Sequence, residues 1–472
     1  MMNFDNSYAA LPEAFHATVS PEKARAPELL AWNDALAREL GLVGFEGDTA
    51  KIARVFGGSE ALAGSQPISM AYAGHQFGHF VPRLGDGRAA LLGEVVTASG
   101  QRYDIQLKGS GRTPFSRAGD GKSWLGPVLR EYILSEAMHR LGVPTTRALA
   151  AVGTGETVYR EGALPGAVFT RVAASHLRVG TFQYFAARGD TESLKTLADY
   201  AIDRHYPDAR DESSPYLGLF RGVVERQAKL VAHWMSIGFI HGVMNTDNTA
   251  ISGETIDYGP AAYMDEFRFD KVFSSIDQYG RYAYGNQPSI AQWNLARLAD
   301  TLLSLDASKD ALESVLAEFS DHYEAHFIAL MAPKLGLFEL QESDADLIVE
   351  WLEHLNEKAL DFTLSFRELA SRIDGQDESQ FGDFESKWRE RVINQGKTVA
   401  EVAALMNGVN PLFIPRNHRV EQAIGEAVRG DLTVFDALKT VLAQPYTEQP
   451  EFADYAIAPL ERERVTRTFC GT

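Results

Sequence analysis

The apolar pattern of this 472-residue chain passes from mostly short, strand-like runs to long helical stripes, and that shift points to an α+β fold. Between residues 84 and 160 the runs are short: Arg88 to Glu94, Tyr103 to Leu107 and Val152 to Tyr159 read as strands broken by glycine. One helix interrupts them over 127–141. There Val128, Leu129, Tyr132, Ile133, Ala137, Met138 and Leu141 recur at helical spacing, Pro127 stands in the first turn, and Gly142 follows as a stop. From residue 190 onward the stripes are helical, at 219–237, 290–305, 309–331, 343–371, 384–406 and 418–442. This order predicts a β-rich lobe with one key helix, then a larger helical lobe, with a cleft between them. No repeat or long linker separates the segments, so four regions are expected in one body. They are an N-terminal extension (1–66), the β-rich lobe (67–160), the helical lobe with the catalytic loop (161–340) and a helical C-terminal region (341–472).

Charge and composition narrow the partners. Forty-five basic against 64 acidic residues give a net charge of −19, which repels a polyphosphate backbone, so nucleic acid is not an expected partner. No run approaches the roughly eighteen apolar residues of a membrane span, and the start lacks a basic region followed by an apolar one. Neither a membrane partner nor export is expected. The single cysteine, Cys470, can close no disulfide within the chain and builds no zinc cluster, which fits a reducing compartment; a cytoplasmic location is expected.

The chemistry concentrates in His241-Gly242-Val243-Met244-Asn245-Thr246-Asp247-Asn248, with Ile256-Asp257-Tyr258-Gly259 shortly after. An amide oxygen and a carboxylate on neighbouring turns are how kinase-like folds hold magnesium, phosphate oxygens supplying the remaining ligands, so Asn248 and Asp257 are the candidate metal ligands. The His-to-Asn spacing matches the kinase pattern H-R-D-x-x-x-x-N, but Val243 occupies the position of the catalytic Asp. Asp247 is the nearest carboxylate that could accept a proton from an attacking hydroxyl. Upstream, Lys108 ends an apolar strand and resembles the strand lysine that kinases aim at phosphates; Glu131 on the following helix is its expected partner, with Glu136 as the fallback. Three glycine-rich stretches, Gly85-Asp86-Gly87-Arg88, Gly109-Ser110-Gly111 and Gly119-Asp120-Gly121-Lys122-Ser123, could bring backbone N–H groups to a phosphate. A P-loop is excluded because Ser116 stands where its first glycine is needed. Arg171 and Arg178 lie seven apart and would share a face if that segment is helical. His75 and His79 lack the glutamate of a zinc protease, Gln76 taking its place, and are read as supporting residues.

Taken together, these residues resemble the selenoprotein O family. The resemblance runs from Asn6-Ser7-Tyr8-Ala9 through Tyr72-Ala73-Gly74-His75-Gln76-Phe77-Gly78, Gly85-Asp86-Gly87-Arg88, Gln106-Leu107-Lys108-Gly109-Ser110-Gly111 and the 241–248 motif to Cys470, essentially the whole chain. It implies a protein-kinase-like fold that binds ATP in a flipped orientation and transfers AMP to Ser, Thr or Tyr hydroxyls of proteins, releasing pyrophosphate, with self-modification left open as an alternative. By that resemblance Gly85, Gly87, Arg88, Lys108, Asp120, Gly121, Arg171, Arg178 and Asp257 contact nucleotide, Asp247 accepts the proton, and Asn248 and Asp257 hold Mg2+, or Mn2+ in its place. Cys470 stands where some members carry selenocysteine, but Arg467 replaces the partner cysteine, so an internal redox pair is not expected. Two other readings share the fold. An ordinary kinase is disfavoured by Val243, and a nucleotide-binding pseudokinase scaffold is disfavoured by the presence of Lys108, Asn248 and Asp257.

Overall fold

The computed structural model describes residues 4–305, 307–374 and 381–469; Cys470 lies outside them. Strands β1 (His16–Thr18), β2 (Glu28–Trp32), β3 (Ile68–Met70), β4 (Gly74–Gln76), β5 (His79–Val81), β6 (Ala89–Val96), β7 (Arg102–Lys108), β8 (Ser123–Trp124), β9 (Arg147–Tyr159) and β10 (Ala163–Ala173) precede most of the helices. Eight of them form an antiparallel sheet in the order β1-β3-β6-β7-β10-β9-β2, with β8 paired to β10. Strands β4 and β5 make a separate hairpin.

Helices α1 (Asp34–Glu39) and α2 (Thr49–Phe56) cover one face of the sheet, where Leu36, Ile52 and Phe56 pack with Leu92, Ile105, Leu107, Leu149 and Val172. Against the other face lies α3 (Leu125–Arg140), whose Leu129, Tyr132 and Ile133 join Ala148, Ala151 and Phe169. On its opposite side Leu134 and Met138 enter the large core of the helical region, so α3 is buried nearly all round, Arg130 and Glu131 included.

The chain continues through α4 (Val179–Ala186), α5 (Thr191–His205), α6 (Pro215–Ser236), α7 (Gln287–Leu302), α8 (Lys309–Lys334), α9 (Asp344–Lys358), α10 (Phe362–Ser371), α11 (Gly382–Ile393), α12 (Val399–Val409), α13 (Asn417–Val428) and α14 (Thr433–Leu442). Each of the last three long helical stripes is two helices. The first breaks at Ala359 in the left-handed region, after which Asp361 caps the Leu364 N–H at 2.8 Å; Thr398 starts α12 with a capping box. Helices α13 and α14 fold back onto α3, where Val420, Ile424 and Phe435 meet Leu129 and Tyr132 and Glu421 pairs with Arg130 at 3.1 Å. This part of the C-terminal region braces the helix that carries Glu131.

One expectation is corrected. The segment 169–178 is not a helix: Arg171 lies on β10, held by pairing with β7 and β9, and Arg178 is the cap residue before α4. The first 66 residues supply β1 and β2 to the main sheet, and the β9–β10 hairpin runs across residue 160. Among the described residues no helix is long and apolar enough to cross a membrane.

Candidate functional site

A cleft of about 630 Å3 is lined by Gly85, Gly87, Arg88, Lys108, Asp120, Gly121, Glu131, Arg171, Arg178, Asp247, Asn248 and Asp257. The sheet delivers Lys108 and Arg171 side by side, because the antiparallel register sets Arg171 opposite Gln106 and Phe169 opposite Lys108. Lys108 Nζ donates to Glu131 Oε2 at 2.6 Å and to Asp257 Oδ1. Arg171 donates to Glu131 Oε1 at 3.2 Å, to Asp257 Oδ1 at 2.9 Å and to Gln106 Oε1 at 2.7 Å. Arg178 lies over the Tyr72 ring at 4.4 Å, 3.6 Å from Asp86 and 3.7 Å from Asp257. Three cations therefore face three carboxylates, and a bound polyphosphate would meet cations already aligned by their acids. Glu136, the fallback partner, turns instead to Arg147 at 2.8 Å and to Asn33 at 2.9 Å.

Burial pushes the Asp257 carboxyl up, but Arg171, Lys108 and Arg178 outweigh it and hold the group well below the usual carboxylate range. Asp257 also sits at φ 65°, a left-handed conformation that costs a non-glycine residue about 1–2 kcal/mol. The buried His241 ring ties this turn to the catalytic loop by donating Nε2–H to the Ile256 carbonyl at 2.9 Å. Asn248 uses its amide N–H to reach the Val243 carbonyl at 2.9 Å, which leaves Oδ1 as the atom it can offer.

Asp247 occupies a short turn anchored from several directions. The His75 N–H donates to Thr246 Oγ1 at 2.7 Å, the Thr246 hydroxyl donates to Gln183 Oε1 at 2.6 Å, and Gln183 Nε2–H donates to His75 Nδ1 at 2.8 Å. His75 is thus a supporting residue, and among the described residues no cluster of three His, Cys, Asp or Glu could hold a metal. Gln76 Nε2–H donates to Asp247 Oδ2 at 3.0 Å, while Oδ1 is buried without a partner. Burial raises this carboxyl to about 6, against the lowering pull of Gln76 and Arg178. A Cβ at Gly74 would stand 2.6 Å from Asp247 Oδ1, so the close approach requires glycine there. Gln76→Leu removes the donor that favours the ionised form. The acid limb of the pH–rate profile is expected to move up by about one unit, read as initial rates between pH 5 and 8.

The glycine turns are set by packing. Gly85 has φ 75°, and a Cβ there would fall 2.3 Å from the Phe115 ring; Gly121 has φ 71°, with a Cβ 2.1 Å from the Gly111 carbonyl. Gly85→Ala is therefore expected to displace the 113–117 loop and weaken nucleotide binding about tenfold or more, measurable by titration calorimetry. Asp120 stands at the rim with its carboxylate engaged by Arg160 at 2.9 and 3.0 Å.

Sequence reasoning missed Asp86, Gln76 and Tyr72. Asp86 is buried, accepts from Gln106 Nε2 at 3.1 Å and from the Met70 N–H at 3.2 Å, and faces Arg178. Its only visible signal was its place between two glycines of a phosphate-type turn.

A cleft that gathers aligned cations, glycine turns and a buried carboxylate has the groups needed to hold a phosphorylated substrate and transfer part of it. The family model described as "Protein adenylyltransferase SelO" matches residues 1–443, and the chain belongs to that family. It is similar to proteins named "Protein nucleotidyltransferase YdiU": 56% identical to that of Rhizobium leguminosarum bv. trifolii over 99% of this chain and 97% of the relative, and 54% identical to that of Agrobacterium fabrum over 100% of each. The relative from Nitrobacter winogradskyi is also 54% identical, over 99% of this chain and 96% of its own. The protein is a nucleotidyltransferase.

Proposed function

We propose that the enzyme transfers AMP from Mg-ATP to Ser, Thr or Tyr hydroxyls of proteins and releases pyrophosphate, in a protein-kinase-like fold whose β-rich and helical lobes enclose the cleft. The observation that carries the reading is Asp247: a buried carboxylate with one oxygen fixed by Gln76 and the other unpartnered, in the same cleft as Asn248, Asp257 and three cations. The acceptor oxygen forms a bond to the α-phosphorus as the bond to the β-phosphate bridging oxygen breaks, and the hydroxyl proton passes to the Asp247 carboxylate. Base catalysis of this kind contributes about 10²–10⁴-fold. Lys108, Arg171 and Arg178 offset charge on the triphosphate, and Glu131 fixes Lys108. Arg88 and the backbone of Gly85, Gly87 and Gly121 line the wall on which the phosphates would rest, with Asp120 at its rim. AMP rather than phosphoryl transfer is supported by the family's description and by Val243 at the kinase base position.

The residues fit Mg2+. Asn248 Oδ1 and Asp257 Oδ2 are two hard oxygen donors in one cleft, the number a magnesium ion takes when phosphates and water complete its shell, and Mn2+ accepts the same donors. Bound there, the ion would supply charge neutralisation on the phosphates. The lone cysteine supports a cytoplasmic location. ATP labelled at the α- or the γ-phosphate, incubated with Mg2+ and mixed cell proteins, tests the reading against an Asp257→Ala control. Label from the α-position alone, lost in the control, is expected; label from the γ-position alone would mean a kinase, and none from either would mean a scaffold.

A further inference from the structure

The geometry points to a groove beside the cleft, formed by Phe77 and residues 276–281, as the docking site for an extended segment of the acceptor protein. That segment would carry an apolar or aromatic residue and a carboxylate near the modified hydroxyl, and the inference rests on the protein-acceptor reading above. The groove measures about 600 Å3, and Phe77 and Ile276 line both it and the catalytic cleft, so the two spaces adjoin. Asp247 is 8% exposed. A hydroxyl reaches it only at the end of a side chain, so the residues flanking that hydroxyl must lie at the cleft mouth, beside which this groove lies.

The groove is apolar and pre-set. Tyr279 is 97% exposed and Ile276 59%. Such residues scattered singly are ordinary, but these two line one groove beside the cleft. Buried Asp277 fixes the turn that presents Tyr279 by accepting from the Arg281 N–H at 3.0 Å and the Tyr282 N–H at 2.8 Å. Phe77 is tied to the base-bearing turn, its N–H donating to Asn245 Oδ1 at 3.1 Å and to the Tyr282 hydroxyl at 3.2 Å. The spacing between groove and Asp247 is thereby fixed. With Asp277 committed to backbone N–H groups, the other ionisable side chains lining the groove apart from Tyr279 are His79 and Arg281. The Arg281 guanidinium stacks on Trp293 at 4.7 Å, and its Nε has no hydrogen-bond partner among the described residues. The Arg281 guanidinium offers a carboxylate a charged partner at the groove, and Tyr, Arg and Ile around a pocket suit a linear peptide anchor.

Two unfolded acceptors serve as probes, acidic casein and a basic linker histone, with α-labelled ATP and the full-length enzyme. Tyr279→Ala combined with Arg281→Gln is expected to raise the KM for casein about tenfold, leaving the KM for ATP and kcat at saturating casein within about twofold of wild type. Arg281→Glu is expected to shift the casein-to-histone rate ratio about tenfold toward histone. Tyr279 makes almost no packing contact, so Tyr279→Ala alone keeps the test valid if the Arg281 variants fail to fold. A casein KM in the variants within about twofold of wild type, or an unmoved ratio, overturns the groove while the AMP-transfer reading stands. Absence of α-label in any protein with the wild-type enzyme overturns that reading, and the groove with it.

Discussion

Asp247→Asn is expected to lower AMP transfer by about 10²–10⁴-fold and, above pH 6, to make the protein more stable than wild type. Both effects come from the same burial. The carboxyl is raised from 3.8 to about 6, chiefly by desolvation. Between those values the folded chain holds a proton that the unfolded chain has released. Stability from this group therefore falls as pH rises through that window and stays reduced above it. A shift of about two units corresponds to roughly 3 kcal/mol. Asparagine cannot ionise, and its side-chain oxygen still accepts from Gln76, but its NH2 would replace the unpartnered oxygen and recover only part of that, roughly 1–3 kcal/mol. Urea unfolding at pH 8 should show the variant ahead, and at pH 4 the gap should close. The wild-type rate should rise with pH to about 6 and then level off. A stability difference that is the same at both pH values would mean that Asp247 is not a buried, proton-holding base.

What the sequence could and could not show follows the range of the forces involved. Helix α3 was legible within two residues because its signals are local: a proline tolerated in the first turn, a helical apolar stripe and a stopping glycine. Strand β10 was not. Val168, Phe169, Thr170 and Val172 favour a strand locally, Ala173 and Ala174 do not, and what fixes this segment as a strand is pairing with β7, some sixty residues away in sequence, and with β9. The arginines still converge, because a strand and the cap of the next helix bring both to the Asp257 carboxylate. Lys108, Asn248 and Asp257 were legible because motif spacing encodes local turns. Gln76 and Asp86 were not, since Gln76 acts through a residue 171 positions away and Asp86 through the Arg178 guanidinium. Buried arginines are also hidden from composition, where a lone Arg reads as surface.

Asp257→Ala should have the largest effect on the site, and it should separate binding from transfer. The carboxylate contacts Lys108, Arg171 and Arg178, two of them buried arginines, so its loss leaves a triad of cations facing only Glu131 and Asp86. Removing one member of a buried ion pair costs about 3–5 kcal/mol, which unfolding in urea should register at pH 7. Transfer should fall by about 10³-fold or more, because the candidate metal ligand is lost along with the alignment of Lys108. Nucleotide binding should respond in the opposite direction. The excess positive charge attracts a triphosphate, so in EDTA the variant should bind ATP at least as tightly as wild type and gain more thermal stability from it. A variant that loses transfer and metal-free ATP binding together would show that Asp257 shapes the pocket itself, whereas retained binding with lost transfer would place its role at the phosphates during the reaction.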